Sequence, residues 1–232
     1  MKKRLIIILI ITLFIIIMSI GLNIVENYSK YKFCILLTTC YNRQNYTDVQ
    51  NNEIQTLYRN VIYDWLYRTG LPIFVIDSSG HTYPEFFDTR LKVCSFIFPQ
   101  ITSSTVAEAN SINYALDNCK ELSNYDYVIK ITGKYYIPYM QTILSKTANG
   151  SDFMFQNIRS NNEVIQNSEV FGFKYKLGKQ IVNPLVSGEC NKIMEERLGE
   201  IVISGNYTYS RFPSMINFYS SKRGDNSILY LL

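Results

Sequence analysis

The chain has 232 residues, 47% of them hydrophobic and 14% aromatic, with a formal net charge of +4. Lys2, Lys3 and Arg4 supply three of those charges, so the remainder is only about +1 and lacks the basic stripe of a general nucleic-acid binder. One histidine, His81, and no P-loop, GxGxxG or zinc spacing leave little room for a Ser-His-Asp or Cys-His site, a dinucleotide fold or a zinc centre.

Leu5–Leu22 is an uncharged apolar run, interrupted only by Thr12, Ser19 and Gly21, behind the basic residues 1–4. As a helix it would extend about 27 Å, enough for a bilayer core of about 30 Å. The basic flank keeps the N-terminus cytoplasmic, so the expectation is a single-pass type II signal-anchor in contact with the lipid bilayer. The exported bulk is then lumenal, extracytoplasmic or on a viral envelope. Ser19 and Gly21 also suit a cleaved signal peptide, although the run exceeds the usual apolar core of one. Residues 23–31 form a polar tether, and 32–232 read as one domain with no repeat or long linker.

Phe33–Thr38 is the short, continuous apolar run of a buried parallel strand. Cys40–Asn52 is a polar loop. Glu53–Arg68 places Ile54, Leu57, Tyr58, Val61, Trp65 and Leu66 on one helical face, and Gly70 stands where a C′ residue would end the helix. Leu71–Ile76 is the next strand, completing a βαβ unit. Further strands are predicted at Val93–Phe98, Tyr127–Ile131, Asp152–Gln156, Val170–Tyr175 and Ser214–Tyr219. Helices are predicted at Glu108–Leu122 and Asn191–Ile201. The five cysteines show no CxxC. An oxidising lumen allows one disulfide, but Cys34, Cys94 and Cys119 sit in contexts that suit buried packing. Sequons at Asn27, Asn45, Asn149 and Asn206 would be acceptors in an endoplasmic reticulum lumen.

In open α/β sheets ligands bind outside the carboxyl ends of the strands. Thr38-Thr39, Asp77-Ser78-Ser79-Gly80 and Thr132-Gly133-Lys134-Tyr135 are polar clusters at three such ends. Asp77 suits a ribose or base edge, or equally an Asx turn closing its strand. Lys130 alternates with apolar neighbours in YVIKITGKYY. It suits a diphosphate clamp with Lys134 and Tyr135, or an outward-facing strand lysine, and Gly133 lets a ligand approach the backbone.

The stretch Glu108–Pro138, EANSINYALDNCKELSNYDYVIKITGKYYIP, resembles bacterial and large-DNA-virus proteins related to GT-A glycosyltransferases. ILLTT, Arg59–Leu66, LPIFVIDSSG, EVFGF at Glu169–Phe173, MEERL at Met194–Leu198 and Arg223-Gly224 are similar to the same group. The resemblance implies an α/β, GT-A-like Rossmann-type mixed sheet flanked by helices. It implies a nucleotide-sugar donor and a glycan or glycoconjugate acceptor. Donor-binding residues would be Thr38, Thr39, Arg59, Asp77, Lys130, Thr132, Gly133, Lys134, Tyr135 and Arg223.

Many GT-A enzymes hold Mn²⁺ or Mg²⁺ with Asp-x-Asp, whereas the corresponding residues here are Ile131-Thr132-Gly133. The expectation is therefore no required cofactor, with lysines 130 and 134 neutralising the diphosphate. If the product is inverted, the resemblance makes Glu195 the expected catalytic base and Glu169 the alternative, although Glu195 and Glu196 both equally suit the first turn of a helix. The competing expectation is a catalytically inactive, membrane-anchored binding or structural protein on the same scaffold.

Overall fold

The computed structural model describes residues 30–99, 103–156, 166–189 and 192–213, and the backbone of strands 217–220 and 227–230. Its strands are β1 (Phe33–Thr39), β2 (Ile73–Asp77), β3 (Leu91–Ser95), β4 (Tyr127–Thr132), β5 (Phe153–Phe155), β6 (Val170–Lys174) and β7 (Tyr209–Arg211). Its helices are α1 (Asp48–Arg68), α2 (Ser104–Asn118), α3 (Met140–Thr147), α4 (Gly178–Val186) and α5 (Met194–Ile203). The seven strands form one mixed sheet in the order β3-β2-β1-β4-β6-β5-β7. β3, β2, β1 and β4 run parallel, β6 is antiparallel to both β4 and β5, and β7 is parallel to β5. A separate antiparallel hairpin joins β8 (Asn217–Ser220) to β9 (Ser227–Tyr230).

The period-2 alternation of the central strands sends side chains to two apolar layers. Ile35, Leu37, Val75, Ile129 and Ile131 pack against Val61, Ile62 and Trp65 of α1 and Met140 and Leu144 of α3. Leu36, Phe74, Ile76 and Val128 pack against Ile112 and Ala115 of α2, Ile181 and Leu185 of α4, and Leu198 of α5. Helices thus cover both faces, as the mixed α/β expectation requires.

Several boundaries move, each for a local reason. α1 begins at Asp48, five residues before the predicted Glu53, because Thr47 and Gln50 form a capping box. Gln50 N donates to the Thr47 hydroxyl at 3.3 Å, and Thr47 N donates to Gln50 Oε1 at 2.9 Å. The helix ends at Thr69, whose hydroxyl donates to the Trp65 carbonyl at 2.7 Å, and Gly70 is absent from the residues with positive φ. The predicted Glu108–Leu122 helix runs instead over α2, with Ser103 as its N-cap, and a 3₁₀ turn at Lys120–Asn124 follows. α3, α4 and β7 had no counterpart among the predicted elements. Cys34 is buried as a packing residue, but Cys94 of β3 and Cys119 at the end of α2 form a disulfide. That pairing corrects the expectation that both simply pack. Among the described residues no helix is long and apolar enough to cross a membrane, and the predicted anchor at residues 5–22 lies outside them.

Candidate functional site at the carboxyl edge of the sheet

The parallel strands β1, β2 and β4 end side by side, with Thr39 opposite Asp77 and Thr38 opposite Thr132. Because β6 is antiparallel to β4, its entry residues Ser168 and Glu169 join the same edge. α5 also starts there, since Gln166 N donates to the Glu195 carbonyl at 3.1 Å.

Asp77 closes strand β2 on the α1 face and is completely buried. Its Oδ2 accepts from the Thr39 hydroxyl at 2.8 Å, Tyr41 N at 3.0 Å and the Tyr83 hydroxyl at 3.4 Å. Its Oδ1 accepts from Ser79 N at 2.8 Å, the Ser79 hydroxyl at 2.6 Å and His81 N at 3.1 Å. A carboxylate offers about four lone-pair sites, so this one is saturated by its own loops. The Asx-turn role that the sequence left open is the one its geometry displays, and no lone pair remains for a ribose. Burial pushes the Tyr83 phenol far up, so it stays a donor.

Gly133 has a related explanation. A Cβ there would stand 2.5 Å from Thr39 Cγ2 and 2.8 Å from the Thr38 carbonyl, to which Gly133 N donates at 2.9 Å. The close approach expected of this glycine is therefore to the protein's own β1 end.

Arg59 lies on the exposed side of α1, paired with Glu85 at 2.8 Å, its guanidinium 5.2 Å from the centre of the Tyr41 ring. Tyr41 in turn stacks on His81 with ring centres 3.6 Å apart. Burial, partly offset by Asp77 and Glu85, lowers the His81 pKa, so the ring is neutral at pH 7.

Lys130 departs from both sequence readings, the outward strand lysine and the diphosphate clamp. It is completely buried on the α2 face. Its ammonium is ion-paired with Glu108 of α2 and donates to the Ser168 carbonyl at 2.7 Å and the Thr132 hydroxyl at 3.1 Å. It also lies 5.5 Å from the centre of the Phe171 ring. All three ammonium protons have protein acceptors, and the sequence offered only one hint of this. A lysine inside YVIKI, once buried, must find a carboxylate. Lys134 is half-buried in the turn after β4.

The two candidate carboxylates flank Lys130. Ser168 donates its hydroxyl to Glu195 Oε1. Glu196 points elsewhere and accepts from Ile193 N at 3.3 Å, so it caps α5. Glu169 accepts from the Tyr135 hydroxyl at 3.2 Å and from Asn167 Nδ2 at 3.5 Å, and its carbonyl accepts from Thr132 N at 2.9 Å. Burial, with the charge of Glu169 second, pushes the Tyr135 phenol up to about 12, so it donates throughout the neutral range. Arg223 lies outside the described residues.

Beside the Asp77 loops is an open cleft of about 400 Å³, lined by Cys40, Asn42, Arg43, Ser79, Ile97 and Phe98 among others. Its β1–α1 wall is the segment that sequence alone presents as a plain polar loop. Arg43 Nη2 donates to the Tyr58 hydroxyl at 3.2 Å and Nη1 to the Tyr46 hydroxyl at 2.9 Å. These anchors hold a guanidinium at the cleft. The signal available was an arginine and two asparagines directly after a strand end.

Among the described residues no group of three His, Cys, Asp or Glu side chains converges, Asp77 spends its lone pairs on its own loops, and Glu108 is paired with Lys130.

No protein-family model matches the chain, and no curated protein matches it. Among solved structures it is similar to a protein assigned as a nucleotide-diphospho-sugar transferase of Desulfovibrio desulfuricans, with 14% identity, a TM-score of 0.48, and coverage of 78% of this chain and 79% of that one. A glycosyltransferase involved in glycosylation of the major capsid of PBCV-1 aligns at 8% identity and a TM-score of 0.49, over 77% and 80% of the two chains. The glycosyltransferase GlyE of Streptococcus pneumoniae aligns at 11% and 0.48, over 78% of this chain and 45% of that one. Likenesses of this size carry no function with them, and the functional reading rests on the chain's own residues.

Proposed function

We propose that this protein is a glycosyltransferase that moves a sugar from a nucleotide-sugar donor to a glycan or glycoconjugate acceptor. The observation that carries the reading is one sheet edge combining a cleft after β1, β2 and β3, with one polar and one apolar wall, and two half-buried glutamates at the β4–β6 end. A cleft of this size suits a nucleoside, and its position is the usual one for ligands of open α/β sheets.

In this reading Glu195 takes the proton of the acceptor hydroxyl. The acceptor oxygen bonds to the anomeric carbon, the bond from that carbon to the diphosphate breaks, and the nucleoside diphosphate leaves with the electron pair. Glu195 suits the base role better than Glu169, because Ser168 occupies one of its oxygens whereas Glu169 has donors on both. Arg43 on the cleft wall and Lys134 after β4 supply positive charge for the leaving diphosphate. Transfer then needs no divalent ion, and activity surviving EDTA is the expected outcome. The segment 5–22 would hold this domain at a membrane with its bulk exported.

A catalytically silent scaffold is the second reading, favoured by Asp77 and Lys130 spending their polar atoms internally. Thermal-shift titration with UDP-, GDP- and CMP-sugars separates the two, because a ligand that binds only the folded state raises its melting temperature. A shift with one donor class, followed by hydrolysis of that donor, supports the enzyme. No shift with any of them leaves the scaffold reading.

A further inference from the structure

We infer that the pair of buried Lys130 with half-buried Glu108 is a positioning device that fixes the Ser168–Glu169 backbone and, through the Ser168 hydroxyl, orients the carboxylate of Glu195. The inference rests in part on the glycosyltransferase reading, since it assigns Lys130 a role in that same site.

The connection is continuous and uses different atoms at each step. Glu108 on α2 neutralises the ammonium, the ammonium holds the Ser168 carbonyl, and the Ser168 hydroxyl holds Glu195 Oε1. A second branch runs from the ammonium to the Thr132 hydroxyl, and Thr132 N holds the Glu169 carbonyl at 2.9 Å. The Glu195 carboxylate and the Glu169 backbone are thus tied to one ammonium that no ligand reaches, because Lys130 has 0% exposure. A buried charge is retained only where partners compensate its desolvation, and an apolar residue of similar length would fill the volume without that cost. The lysine therefore contributes three directed hydrogen bonds that methionine would lack. Their endpoints are Glu108, Thr132 and the segment carrying Ser168. Direct donor contact and positioning predict different defects, since a donor ligand sets affinity whereas a positioning group sets turnover.

Lys130→Met, Glu108→Gln and Ser168→Ala are the variants, read by donor hydrolysis, donor-induced thermal shift and hydrogen exchange of peptides covering 166–170 and 193–197. Positioning predicts that Lys130→Met lowers kcat by about tenfold to a hundredfold, the scale that misplacement of a catalytic group produces. The donor-induced shift and KM should stay within about twofold of wild type. Exchange in both peptides should rise while α1 is unchanged. Ser168→Ala should reproduce the kcat loss with a smaller rise in exchange, because the lysine stays bonded to the backbone. Abolition of the donor-induced shift with exchange unaltered would show that Lys130 touches the donor, and the inference fails. Unaltered exchange together with unaltered kcat overturns it equally. If wild type neither binds nor hydrolyses any nucleotide sugar, the enzyme reading falls, while exchange in the variants still decides whether Lys130 holds these segments. Should Lys130→Met not fold, Glu108→Gln and Ser168→Ala carry the same comparison.

Discussion

At the β1–β2 end of the sheet edge, one carboxylate is enclosed by six hydrogen bonds, from Thr39, Tyr41, Ser79 (two), His81 and Tyr83. At the β4–β6 end, among the described residues the Glu195 carboxylate accepts only from Ser168, through one of its two oxygens. Both groups are carboxylates at element ends, Asp77 closing an apolar strand and opening a polar turn, Glu195 in the first turn of α5. The first uses its whole hydrogen-bonding capacity to close loops and has none left for a ligand. The second is held on one side and keeps lone pairs in reserve, which a proton-accepting group requires. Burial and partner count, more than residue type, separate a carboxylate closed on itself from one with capacity left over.

Four measurements test that contrast. The greatest change is expected for Glu195→Gln, which should lower turnover on the order of 10²–10⁴-fold, the usual contribution of a general base, with little change in melting temperature. Loss of stability with turnover retained would place Glu195 among the structural carboxylates. Asp77→Ala should do the opposite, lowering unfolding free energy in urea by about 3 kcal/mol or more, since each orphaned buried donor costs about 1–3 kcal/mol. A loss below about 1 kcal/mol would mean that those donors find other partners.

Gly133→Ala comes next, with an expected loss of about 1–3 kcal/mol from forcing a methyl group against the β1 end. Unchanged stability in urea would show that Thr39 yields freely. The slightest change concerns Asp152, where burial, which raises the pKa, is outweighed by Lys174 and the Thr208 donors that lower it. The folded pKa lies below the unfolded one, so the unfolded chain binds more protons and stability falls as pH drops through the acidic carboxylate range. Lys174→Met should flatten that acid leg by under about 1 kcal/mol, as suits a partly exposed pair.

Much of this architecture is legible in the residues alone. The runs ILLT, IFVI and YVIKI became β1, β2 and β4 almost residue for residue, because fully buried strands leave a nearly continuous hydrophobic signature, broken here only by Lys130. Short elements read less well. α3 follows a Tyr139 with φ of 57° and has no side-chain cap, and α4 contains Pro184, so neither carries the usual start signals. The Thr47–Gln50 capping box is present in the sequence, and overlooking it costs five residues of α1. At the candidate site, polarity after each strand end located the edge, while the preference for Glu195 over Glu196 came from the resemblance of MEERL rather than from polarity. It did not distinguish Asp77, closed on itself, from a group open to ligand.

Local sequence was enough to specify the basic N-terminal flank and apolar segment, the alternation of strands and helices, and the positions of polar clusters at strand ends. Those features are short-range, because chain periodicity and propensity act over a few residues. Three-dimensional packing was needed to turn Lys130 inward to Glu108, to join it through Ser168 to Glu195, and to bring Cys94 against Cys119. The partners in the lysine-to-serine and serine-to-glutamate links stand 38 and 27 residues apart. Which polar atom satisfies which depends on strand order and helix packing, and a buried charge is compensated only by the groups that packing brings within reach.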